Sequence, residues 1–245
     1  MKICCSTVYG CYIREKGYEC SGEQMSDKST EQVRYDPEPR WPAFVAVLAV
    51  AGLYESLPQS LIVGPRWSFF IVVFILLIPT AVSHWKDYRA LNRVLGFIIS
   101  GVITAGMVAS VILLIAGLPE HRETPTQLLT SAAALWGSNI LVFSIWYWRL
   151  DAGGPHVRDS RFGHTDGSFL FPQMTLPPGI KKEVGEEAWS PNFFDYLFLA
   201  FNTSTAFSPT DVPVLARWAK MLMMLQSMIS LTVLALLAAR AVNIL

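Results

Sequence analysis

Phe193-Phe194-Asp195-Tyr196-Leu197-Phe198-Leu199-Ala200-Phe201 opens the part of the chain that decides how the rest is read. It continues Asn202-Thr203-Ser204-Thr205-Ala206-Phe207-Ser208-Pro209-Thr210-Asp211-Val212-Pro213-Val214 and closes in a long apolar run to Leu245. The aromatic run predicts a short amphipathic helix. The threonines, serines, Pro209 and Asp211 predict a turn. The last apolar run predicts a membrane span over 218–239. Half-helix, polar turn and span, in that order, point to an all-α integral membrane protein.

The composition agrees. The chain is 52% hydrophobic and only 16% charged, against about 25% charged in a typical soluble domain. Further apolar runs predict spans over 42–63, 67–84, 94–118 and 127–148. The expected fold is thus a bundle of about five transmembrane helices, with a half-helix before the last. The division that follows is a polar, disordered tail over 1–40, a four-span region over 41–148, a soluble loop over 149–191, and the half-helix with its span over 192–245. The first run is the weakest span, and a re-entrant hairpin is the competing reading. Gly101, Ala105 and Ala109 share a helix face and predict close packing against another span. Asn139, in the middle of a span, is expected to face another helix, because an unpaired amide in lipid is costly. Gln226, Ser230 and Val233 share a face that suits either a pore lining or hydrogen bonds between helices. Trp41, Trp67, Trp85, Trp146, Trp148 and Trp218 stand at predicted span ends, as in an aromatic belt.

Lysine and arginine set the orientation. One side collects Lys28, Arg34, Arg40, Lys86, Arg89, Arg93, Arg149, Arg158, Arg161, Lys181, Lys182, Arg217 and Lys220. The other holds only Arg66, Arg122 and Arg240. The bias predicts a cell-membrane protein with its amino terminus and long loop in the cytoplasm.

Little in the chain points to chemistry. Cys4, Cys5, Cys11 and Cys20 fit no strong zinc spacing, so no metal site is expected. Translation from Met1 and from Met25 both remain open. His156, Asp159, His164 and Asp166 read as a solvated loop, and Arg149 with Asp151 as an interfacial ion pair. Phe169-Leu170-Phe171 is expected to lie back on the bundle or the membrane surface. No catalytic motif is present, so neither an enzyme nor a cofactor is expected. Net charge is zero, which gives no drive toward nucleic acid.

The stretch from 193 onward resembles the pore region of two-helix potassium channels. Those channels carry a pore helix and then T-x-T-T-V-G-Y-G-D. Here Thr203 and Thr205 match the two framing threonines, Asp211 the closing aspartate, and Pro213 a proline just beyond. Asp195, Tyr196, Leu197 and Phe198 match the start of the pore helix. Ser208, Pro209 and Thr210 replace Gly-Tyr-Gly, so backbone freedom that the filter needs is missing. The whole chain also looks like small bacterial multi-pass membrane proteins described as channel-like. The resemblance implies a homo-oligomer, a tetramer if a pore forms, that passes monovalent cations with weak potassium preference. Thr203, Ser204, Thr205, Ser208 and Thr210 would line the path, with Asp211 at its mouth. In potassium channels the pore loop enters from outside. Here the charges put it inside, the inverted arrangement of glutamate-receptor channels. The alternative is a non-conducting multi-pass adaptor that binds lipid or a partner through its basic loops.

Overall fold

The computed structural model describes residues 38–86, 88–117, 124–160, 164, 166–185, 189–205 and 212–242. The four cysteines, both candidate starts, and Ser208, Pro209, Thr210 and Asp211 lie outside them. Among the described residues the chain is helical without a strand. Phe169 and Val214 form an isolated antiparallel bridge.

Three helices are long and apolar enough to cross a membrane: α3 (Arg89–Gly117), α4 (Pro125–Leu150) and α9 (Arg217–Val242). Two shorter apolar helices come first, α1 (Trp41–Glu55) and α2 (Ser68–Trp85). Local chemistry explains their limits. Thr124 and Gln127 cap each other at the start of α4, with Pro125 in its first turn, where its missing N–H loses no bond. At the other end Ala152, Gly153 and Gly154 all take positive φ (51°, 85° and 92°). The chain therefore leaves the helix abruptly, and a Cβ at Gly154 would sit 2.8 Å from the Arg149 carbonyl oxygen. Asn92 at the start of α3 donates to the Thr80 carbonyl in α2 at 3.1 Å and ties that corner.

Helix α4 is central, packing against α1, α3, α9 and a shorter helix, α8 (Phe193–Thr205). Val142, Phe143, Ile145 and Tyr147 are almost wholly buried. Short helices α5 (Pro155–Arg158), α6 (Pro172–Thr175) and α7 (Pro178–Glu183) fill the chain between α4 and α8. Phe169 and Phe171 do fold back on the bundle, buried in its core.

Three expectations need correction. The Gly101 face of α3 is open within the chain: a Cβ at Gly101 meets nothing within 4 Å, and Ala105 is exposed. The buried face carries Ile99, Ile103, Met107 and Leu114 instead, because large side chains fill the seam with α2 and α4 better than a flat stripe does. Close approach occurs elsewhere, at Gly106, where a Cβ would stand 2.5 Å from the ring of Phe69. That ring is itself stacked on Tyr54 at 4.0 Å. Gly106→Ala is expected to cost about 1–3 kcal/mol by overpacking. Gly101→Ala is expected to gain up to about 1 kcal/mol from helix propensity alone. Thermal melts of the two variants in detergent check both signs.

The second correction concerns the tryptophans. Trp41, Trp67 and Trp85 are exposed, as a belt requires. Trp148 is buried, donates its indole N–H to Glu38 and packs on Phe193. The third concerns the loop after α4. Its charges are not simply solvated, since Asp151 and Arg158 are buried. Arg149 does not pair with Asp151, which is engaged by Ser168 and Tyr196.

Candidate functional site

The candidate site is built on α8. The side chains of Asn192 and Asp195 both accept backbone N–H groups at the start of the helix. The Phe194 N–H donates to Asn192 Oδ1, and the Asn192 N–H to Asp195 Oδ2, each at 2.8 Å. This satisfies donors that would otherwise be orphaned at the helix start. Phe194, Phe198 and Phe201 recur at helical spacing on the exposed face. Phe193, Tyr196, Leu199 and Ala200 turn inward.

The start of α8 is locked to the end of α4. The Tyr196 hydroxyl donates to Asp151 Oδ2 at 2.7 Å, and the Ser168 N–H to Asp151 Oδ1 at 2.5 Å. Arg158 stands over the Tyr196 ring at 5.1 Å. It donates to the Trp148 carbonyl at 2.8 Å, to the Asp151 carbonyl at 3.0 Å, and to Glu38 Oε2 at 2.8 Å. Burial pushes the Glu38 carboxyl above its ordinary range, against the pull of Arg158. Nearby Arg40 bridges to Asp159 at 2.8 Å. Residues 38–40, read from sequence as tail, are thus part of the bundle's end.

The other end of α8 stops deep between α4 and α9. Asn139, midway along α4, donates to Ser204 Oγ at 3.4 Å and to the Gln226 carbonyl at 3.2 Å. Gln226 donates through its amide to the Ala200 carbonyl at 2.7 Å and to Ser204 Oγ at 2.8 Å. Its own amide oxygen accepts from the Tyr147 hydroxyl at 2.5 Å. Ser230 donates to the Ser204 carbonyl at 2.5 Å, and Ser227 to the Thr203 carbonyl at 3.2 Å. Asn139, Tyr147, Ser204 and Gln226 are each 0% exposed. Buried interhelical hydrogen bonds of this kind hold apolar helices in one register, although the Asn139 amide oxygen has no hydrogen-bond partner among the described residues.

After α8 the chain returns. By residues 213–215 it lies beside Ser168 to Leu170: Leu170 N–H donates to the Pro213 carbonyl at 2.9 Å, and Leu215 N–H to the Ser168 carbonyl at 2.8 Å. Phe169 there packs on Tyr147 at 5.3 Å and on Trp218 at 6.1 Å. That is the end of the bundle from which α8 set out. With 13 residues, α8 is about 20 Å long, less than the roughly 30 Å of a hydrocarbon core.

Of the residues expected along a pore, Thr203 and Ser204 are enclosed by α4 and α9 of the same chain, 6% and 0% exposed. Thr205 is partly buried and donates to the Asn202 carbonyl at 2.9 Å. Ser208, Thr210 and Asp211 are outside the described residues. Asn139 faces other helices as expected, and Gln226 with Ser230 bonds between helices. Tyr147, Asp151 and Arg158 were not singled out from sequence as parts of this site, and Tyr196 was read only as matching the start of a pore helix. The only signal was polar chemistry at the ends of apolar runs. Among the described residues no group of three or more His, Cys, Asp or Glu is placed to hold a metal. No family model, curated protein or solved structure matches the chain.

Proposed function

We propose that this chain is a pore-loop, channel-like protein of the cell membrane. It crosses the bilayer five times, with α8 as a re-entrant half-helix. Several copies, four if the channel likeness holds, surround a weakly selective cation pathway. The supporting observation is that α8 ends at mid-bundle and the chain is back at its starting end by Pro213. Arg40, Arg93, Arg149 and Arg158 gather at that same end. By the positive-inside rule it faces the cytoplasm, so the loop enters from within. In this reading the segment 203–211 carries the path, with Asp211 favouring cations, and no catalytic step is involved.

One observation favours a second reading, a non-conducting membrane adaptor. The Ser204 hydroxyl already receives bonds from Asn139 and Gln226. It is committed to the chain's own bundle rather than to an ion. Purified protein in liposomes with opposed sodium and potassium gradients separates the two. Conduction with a reversal potential well short of the potassium equilibrium value is the expected result, because Ser208-Pro209-Thr210 lacks the filter glycines. A potential at that value overturns the weak-selectivity claim. No flux of any ion leaves the adaptor.

A further inference from the structure

A cavity of about 180 Å³ opens where α1, α2, α3 and the end of α4 converge. Its polar wall holds Arg40, Arg93 and Arg149, together with Thr80, Asn92 and His156. No carboxylate lines it. Arg40 is bridged to Asp159. Among the described residues neither Arg93 nor Arg149 forms a salt bridge. Arg149 is the telling one, because its Nε is buried without a hydrogen-bond partner among those residues. Its guanidinium fills the space beside Gly96, where a Cβ would lie 1.7 Å from Nη1. The fold has left room for this side chain and supplied no counter-charge.

Gathering like charges around a buried arginine that has no counter-charge is unfavourable unless an anion joins them. Guanidinium forks match phosphate oxygens in geometry and charge. Apolar side chains complete the lining, among them Phe44, Val47, Leu77, Phe97 and Ile99. A soluble anion has no use for such a lining, but an acyl chain does. The cavity sits at the arginine-rich end of the membrane helices, the level at which basic pockets between helices meet lipid headgroups.

We propose that this cavity binds the phosphate headgroup of an anionic phospholipid. Arg149, Arg93 and Arg40 hold the phosphate oxygens, and an acyl chain runs along Phe44, Val47, Leu77 and Phe97. The site stands apart from the loop after α8 and does not depend on conduction.

The test is thermal melting of the full chain in nanodiscs of phosphatidylcholine, of phosphatidylcholine with phosphatidylglycerol, and of phosphatidylcholine with inorganic phosphate added. Phosphatidylglycerol is expected to raise the wild-type Tm by about 5–10 °C near a hundredfold excess over Kd. Arg149→Met is expected to lose that rise. In phosphatidylcholine alone it should melt no lower than wild type, since it removes a buried charge that has no counter-charge and is offset only by the Trp148 ring at 5.5 Å. Arg93→Gln, at an exposed position, is expected to lose part of the rise and carries the comparison if Arg149→Met fails to fold. An equal rise in wild type and both variants overturns the site, as does no rise in wild type. Arg149→Met melting lower in phosphatidylcholine assigns Arg149 a packing role and overturns it too. An equal rise with inorganic phosphate alone overturns the lipid assignment in favour of a soluble phosphate.

Discussion

Arg158→Met is expected to destabilise the protein by about 3–5 kcal/mol, the usual consequence of removing one partner from a buried ion pair. The Arg158 and Glu38 side chains are only 1% and 7% exposed. Without the guanidinium, the Trp148 and Asp151 carbonyls each lose a donor and the Glu38 carboxylate loses its counter-charge. The loss should depend on pH. Burial already holds the folded-state pKa of Glu38 above its ordinary value of 4.5, and removing Arg158 raises it further. A carboxyl with a raised folded pKa contributes stability below its unfolded pKa and loses it as pH rises through the folded value. The variant should therefore approach wild type as pH falls toward the ordinary carboxylate range, and the deficit should be full near neutrality. Adding Glu38→Gln should recover part of it. Melts of the single and double variants across pH check the sign. A deficit that does not change with pH would show that lost packing, rather than the stranded carboxylate, is responsible.

Gln226→Leu is expected to cost about 2–4 kcal/mol, because it strands the Tyr147 hydroxyl in a dry seam and removes the amide that donates to the Ala200 carbonyl and the Ser204 hydroxyl. The range stays modest because interhelical hydrogen bonds in membranes average below about 1 kcal/mol each. The change also frees the tip of α8, so any ion flux should fall more steeply than stability. Ser227→Ala is the control. It removes one bond, at 3.2 Å, from a partly buried serine and should cost under about 1 kcal/mol. Similar losses for the two variants would mean that Gln226 does not organise the seam.

The contrast between these two sites marks where the sequence was legible. Long apolar runs announced α3, α4 and α9, since crossing lipid leaves the backbone few alternatives. Asn139 was legible as helix-facing, because a polar amide in an apolar run needs a partner, whereas the Gln226 face suited a pore lining and interhelical bonds equally. The corner at Arg158 was not. Its carbonyl partners at Trp148 and Asp151 lie close by in sequence, but its counter-charge Glu38 lies 120 residues away, and no local pattern encodes that pairing. The Gly101 stripe misled for a related reason. Small residues permit close packing without requiring it, and only the tertiary fold decides which face is used.

The central claim is that α8 enters and leaves by one face. It is tested by placing single cysteines on either side of it, Glu183→Cys and Leu215→Cys, with Cys4, Cys5, Cys11 and Cys20 changed to serine. Both positions are exposed. Gln59→Cys, exposed beyond the end of α1, marks the opposite face. In intact cells a membrane-impermeant thiol reagent should label Gln59→Cys at once, and Glu183→Cys and Leu215→Cys only after permeabilisation. Labelling of Glu183→Cys and Leu215→Cys from opposite faces would contradict a re-entrant α8 and make it a full crossing.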